Sequence, residues 1–78
     1  MTMAFVLITC ALGKEDSVLS NLEKLSNIKE VSRVHGAYDV IAKVEASSAE
    51  QIKGVITDEI RTINDVRSTI NLPLKFYN

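Results

Sequence analysis

His35-Gly36-Ala37-Tyr38-Asp39 places an imidazole, a glycine, a phenol ring and a carboxylate within one short stretch. Gly36 lacks a Cβ, so backbone there can come close to a partner. Asp39 offers acceptors, and Tyr38 offers a flat apolar wall. Together these suit the corner of a pocket for something small that carries a positive charge. The plainer alternative is a hairpin turn with Gly in the bend and Asp solvated. His35 and Asp39 are also the one conceivable acid–base pair. They lie four residues apart across a turn, with no second His, activated Ser or metal-ligand set beside them. We therefore expect no catalytic residues, no metal site and no cofactor, and we read His35 as a loop residue.

The flanking segments must position this turn. Ala4 to Leu12 is apolar almost throughout, as in a central buried strand. Gly13 breaks it, and acidic Glu15 and Asp16 stand where a helix start favours them. Val18, Leu19, Leu22 and Leu25 then form one helical stripe, ended by Ser26-Asn27. A second strand is expected from Ile28 to Val34, with a break in alternation that suits a bulge. A third covers about Tyr38 to Glu45. Ser47-Ser48 with Gln51 reads as a capping box for a second helix, whose buried face is Ile52, Val55, Ile56, Ile60 and Ile63. The last strand covers about Val66 to Leu72. Pro73 cannot donate to a ladder and marks a sheet edge or a strand switch. Leu74, Phe76 and Tyr77 make an apolar tail.

The order is β-α-β-β-α-β, and its halves echo. Leu25-x-x-Ile28-x-x-Val31 recurs 35 residues later as Ile60-x-x-Ile63-x-x-Val66. Two such units describe an α+β, ferredoxin-like sandwich of the dimeric α/β barrel type. Its antiparallel sheet carries both helices on one face. The strands are apolar on both faces, so a second copy packed sheet to sheet is the simplest cover for the other.

The chain has 78 residues, read as a single domain spanning 1–78, too short for a generous core of its own. It is 46% hydrophobic with no Trp, so aliphatic residues fill that core and oligomerisation is the expected further source of stability. Nine Lys and Arg against ten Asp and Glu give a net charge of −1, with no basic stripe. Direct nucleic-acid binding needs clustered cations and is not expected. The lone Cys10 cannot form an internal disulfide and sits in an apolar run as an inert thiol. That run is too short to span a bilayer and lacks a basic leader before it, so a cytoplasmic location is expected.

Over nearly its full length the sequence resembles the effector-binding (RAM) domain of the Lrp/AsnC regulators. The resemblance is carried by Ala4-Phe5-Val6-Leu7-Ile8, Gly13-Lys14-Glu15 and Ile28-x-x-Val31, and completed by Gly36-x-Tyr38-Asp39 and Val66-Arg67-Ser68-Thr69. It implies a βαββαβ domain whose dimers pair their sheets and assemble into rings, often octamers. It also implies amino acids or similar effectors bound between dimers near the glycine turn. Residue by residue, Gly36, Tyr38 and Asp39 match the ligand-contacting turn, and Ser68 and Thr69 match hydroxyl-bearing positions of the last strand. Because the sequence enters strand one by about Ala4, the expectation is a stand-alone member without a helix-turn-helix. It would modulate transcription through mixed assembly with full-length Lrp/AsnC regulators rather than by reading DNA.

A free amino acid presents an ammonium and a carboxylate, and both need partners when buried. Asp39 is expected to take the ammonium. Backbone N–H groups near Gly36 and the hydroxyls of Ser68 and Thr69 would take the carboxylate, with Tyr38 and Val34 as walls. Three alternatives stay open at this point: a small dimeric α/β-barrel enzyme, an ACT-type amino-acid domain of the same topology, and an oligomerisation module with no ligand.

Overall fold

Strand β1, Thr2–Cys10, alternates strictly, and the alternation decides the architecture. Ala4, Val6, Ile8 and Cys10 are buried, while Met3, Phe5, Leu7 and Thr9 are only half-buried. Such a strand has one face under a helical layer and one face less covered. The computed structural model of the protein describes residues 1–74. Phe76 and Tyr77 of the expected tail lie outside them.

The elements follow in the expected order. Helix α1 is Glu15–Glu23, β2 is Ile28–Arg33, β3 is Val40–Ala46, α2 is Ala49–Gly54 and β4 is Val66–Pro73. The sheet order is β2-β3-β1-β4, antiparallel throughout. β1 and β3 are therefore central, which explains why β3 repeats the β1 pattern, with Val40, Ala42, Val44 and Ala46 buried. Both helices lie over these side chains. Val18 and Leu22 come from α1 and Ile52 from α2, and with Ile60 they close one aliphatic core.

Leu22 is fully buried in that core. Leu22→Ala removes its contacts and leaves a cavity, at a cost of about 2–5 kcal/mol. In a domain this small that is a large share of total stability. Chemical denaturation followed by circular dichroism should show a midpoint shift of that size with an unchanged slope.

Local chemistry sets the element ends. Ser48 Oγ accepts the Gln51 N–H at 3.1 Å, and Gln51 Oε1 reaches back to the Ser47 N–H at 2.8 Å. This is the expected capping box, with the return bond made one residue earlier. The register between β2 and β3 slips between Ile28 and Glu30, the bulge implied by the broken alternation. Pro73 sits at the end of an edge strand opposite Ala4, and pairing resumes with Leu74 N–H donating to Met3 C=O at 3.0 Å.

The strands β1 and β3 are displaced from the expected Ala4–Leu12 and Tyr38–Glu45, and two helix boundaries differ as well. The first helix ends at Glu23, before Ser26-Asn27. The second changes at Gly54 into a π-helical segment, Val55–Ile60, closed by Arg61 N–H donating to Ile56 C=O at 2.8 Å. Five-residue spacing lets Val55 and Ile60 both face the core. Ile63 falls beyond the helix, in the turn to β4. The repeat explains that turn: Ile63 N–H bonds Ile60 C=O at 3.0 Å, as Ile28 N–H bonds Leu25 C=O at 3.1 Å. The sequence echo marks the same helix-to-strand turn, used twice.

Candidate functional site

The β2–β3 connection runs from Val34 to Asp39, and Gly36 within it has φ +119, which favours glycine. Val34, Tyr38 and Asp39 are half-buried, and His35, Gly36 and Ala37 are exposed. Val34 N–H donates to Asp39 C=O at 3.0 Å, closing the turn. Asp39 N–H donates to Ile8 C=O at 2.9 Å, tying the turn to β1.

The Asp39 side chain does something the sequence did not suggest. β3 begins only at Val40, so the end of β1 loses its ladder partner on that side. Asp39 Oδ2 takes that place and accepts the Cys10 N–H at 2.8 Å. One carboxylate oxygen is thus spent on backbone. Among the described residues, Oδ1 makes no hydrogen bond, although an ionised carboxylate has room for several.

The charges around the strand end are mostly acidic. Burial pushes the Cys10 thiol above its ordinary value, and the charges of Asp39, Glu15 and Asp65 push the same way, while Arg33 opposes them. That combination disfavours a thiolate. Arg33 itself is drawn toward Asp16 at 2.9 Å, an exposed pair that links the end of β2 to α1.

Ser68 and Thr69 lie near the start of β4, at the same end of the sheet. The register sets Ser68 opposite Thr9 and Thr69 opposite Ile8. Ile8 is buried under the helices, so Thr69 shares the helical side and Ser68 takes the open side. The two hydroxyls therefore point to opposite faces, and one molecule on one face meets only one of them from a given strand. Ser68 Oγ instead pairs with Thr9 Oγ1 at 2.5 Å. Thr9 is the site-end residue that sequence reasoning missed. Its signal was a single hydroxyl inside the run from Phe5 to Leu12.

Beyond this hydroxyl pair the open face carries an apolar patch, bordered by Lys43. Leu7 stands between Ile41 and Ile70 in the register, and Phe5 between Lys43 and Leu72. Ile70 is 42% exposed and Leu72 46%. A connected apolar patch on a sheet face marks an interaction surface. His35 makes no hydrogen bond to Asp39 among the described residues, and no cluster of metal-binding side chains occurs among them. Nor is any of their helices long and apolar enough to cross a membrane.

Residues 3–71 match the family model described as the Lrp/AsnC ligand binding domain. The HTH-type transcriptional regulator FL11 of Pyrococcus abyssi is 36% identical over 67 residues, which make up 86% of this chain and 44% of that protein. The chain thus spans less than half the length of that curated relative. Among solved structures, FFRP-DM1 superposes with a TM-score of 0.91 at 33% identity, covering 96% of this chain and 100% of that one. A homocitrate synthase of Saccharolobus islandicus is 35% identical over 54 residues, which are 69% of this chain but 12% of the enzyme.

Proposed function

The chain belongs to the Lrp/AsnC ligand-binding domain family, and on that premise we propose that it binds an amino acid or a close relative at the Asp39 end of the sheet. The observation that carries this reading is the divided carboxylate. Oδ2 of Asp39 is fixed by the Cys10 N–H, which orients Oδ1 with no partner among the described residues. A preoriented acceptor of this kind suits an ammonium group. Backbone at the Gly36 turn and the hydroxyls of Thr9 and Ser68 are the donors offered to the effector carboxylate. Thr69, on the other face, would serve a molecule held from the helical side. Tyr38 and Val34 form the apolar wall.

A charge-assisted bond contributes about 1.5–3 kcal/mol. Two or three, less the cost of binding, correspond to affinities of roughly micromolar to millimolar. That range suits a nutrient sensor. The open apolar face pairs with a second copy, and dimers assemble further, up to a ring such as an octamer. An effector that fits one assembly better than another shifts the equilibrium toward it. Signalling then passes through the assembly formed, including mixed assemblies with full-length Lrp/AsnC regulators, and not through DNA contacts by this domain. Such a module would act in the cytoplasm.

No enzymatic step is proposed. The homocitrate synthase match covers a small share of that enzyme and suits a portable unit attached to different partners. A second reading has an observation of its own: the Asp39–Cys10 bond and the apolar sheet face give these residues structural tasks without any ligand. Titration calorimetry across the common amino acids, with light scattering before and after, separates the two. A saturable heat with a change in particle size is expected. Silence from every amino acid at millimolar concentration would leave an oligomerisation module.

A further inference from the structure

The second half of the chain holds one residue more than the first, and the surplus can be located. Val18 and Leu22 recur 34 residues later as Ile52 and Ile56, whereas Leu25 and Ile28 recur 35 residues later as Ile60 and Ile63. The extra residue therefore falls between Ile56 and Ile60. The π-helical segment Val55–Ile60 spans that gap, while the matching helix α1 is α-helical from Glu15 to Glu23. Bonds that reach back five residues take up one more residue per turn, and such turns inside helices occur frequently at functional sites.

The same apolar residues fit a second register. In an uninterrupted α-helix Ile52, Val55, Ile56, Ile60 and Ile63 share one stripe. Arg61, just past the π segment, is already right-handed helical at φ −67 and ψ −17. The Thr62 hydroxyl donates to Asp58 C=O at 2.9 Å, four residues back, a bond that an α-helix also accommodates. An α-helix running on to Ile63 thus keeps the core face and drops the wide turn. What opposes it lies downstream. Val66 N–H bonds Ile63 C=O at 3.2 Å, and Ala11 N–H bonds Asp65 C=O at 2.8 Å. Asp65 holds that second clasp at φ +72, the one positive φ outside glycine among the described residues. The left-handed region costs energy for a residue with a side chain. Strain of this kind collects in segments with a conformational task.

We propose that the chain from Val55 to Val66 is a two-register element. Its π form ends the helix at Ile60, and its α form carries the helix on to Ile63 and releases the Asp65 clasp. Ala11 follows Cys10, whose N–H the Asp39 carboxylate holds, so the register reaches the strand end beside the β2–β3 turn. Interconversion is a property of the single chain and stands whether or not an effector binds.

Backbone NMR of the full chain tests this, comparing the wild type with a Thr57 deletion, Asp65→Gly and, as control, a Glu23 deletion. Helix register shifts fall in the microsecond-to-millisecond range. Relaxation dispersion in the wild type is expected at amides between Val55 and Val66 and at Ala11, and not along α1. Thr57 is exposed, and its removal gives Ile52, Ile56 and Ile60 the spacing of Val18, Leu22 and Leu25. That variant should keep the sheet, show an unbroken α-helix by chemical shift and lose the dispersion. Removing Glu23 from α1, where no residue is surplus, should instead disrupt the fold. Asp65→Gly relieves the left-handed residue and should cut the α-form population about fivefold. Flat profiles between Val55 and Val66 in the wild type would overturn the proposal. So would a Thr57 deletion as disruptive as the Glu23 deletion, or dispersion unchanged by Asp65→Gly.

Discussion

Ile70→Glu is expected to convert the proposed dimer into a monomer while leaving the fold intact. In a single chain Ile70 is already 42% exposed, so glutamate there costs the monomer little. In the sheet-to-sheet pair proposed above, the same position would meet the apolar row that Ile41, Leu7 and Ile70 form across one sheet. A carboxylate buried against that row has no partner and is costly. Two-fold symmetry introduces the change twice. Each 1.4 kcal/mol lost weakens association about tenfold, so a loss of roughly a hundredfold or more is expected. Sedimentation equilibrium reads it directly, with far-ultraviolet circular dichroism as the check on folding. An unchanged dimer would show that the copies pair through another surface.

The second large effect belongs to Asp39. Asp39→Ala removes both tasks of the carboxylate. The Cys10 N–H loses its acceptor, and a buried backbone donor left alone costs about 1–3 kcal/mol. In the proposed complex the effector ammonium would lose its charged partner, which is expected to weaken binding roughly ten- to a hundredfold. Asp39→Asn divides the two. Its amide oxygen can still accept from Cys10, so thermal stability should stay close to the wild type, while affinity should fall nearly as far as in the alanine variant. Calorimetry and thermal unfolding of both variants form the experiment. An Asn variant that binds as tightly as the wild type would remove the charge from the account. An Ala variant as stable as the wild type would remove the strand-end bond.

These two residues show what the sequence could and could not reveal. The near-continuous apolar runs of β1 and β3 made them legible as central strands, and apolar residues on both faces were the ground for expecting a covering partner. The helix stripes and the repeated turn made the element order legible. Periodicity did not place Ile63, because a π-helical segment from Val55 to Ile60 changes the residue spacing just where a uniform helix was assumed. Ser68 and Thr69 were grouped as two hydroxyls for one ligand, although adjacent strand residues face opposite sides. That separation was available from strand geometry alone. The role of Asp39 was not, since its bond reaches Cys10, 29 residues away, and arises only because β3 begins one residue after it. Thr9 was hidden for a related reason. A threonine in an apolar strand is common, and only the β1–β4 register brings it to Ser68.

The most direct measurement is a crystal structure of the protein with the amino acid that gives the largest calorimetric heat. The account predicts the effector ammonium at about 2.7–3.2 Å from Asp39 Oδ1, with Oδ2 still bonded to the Cys10 N–H. An effector bound well away from residue 39, or an Oδ1 facing open water in the complex, would contradict it.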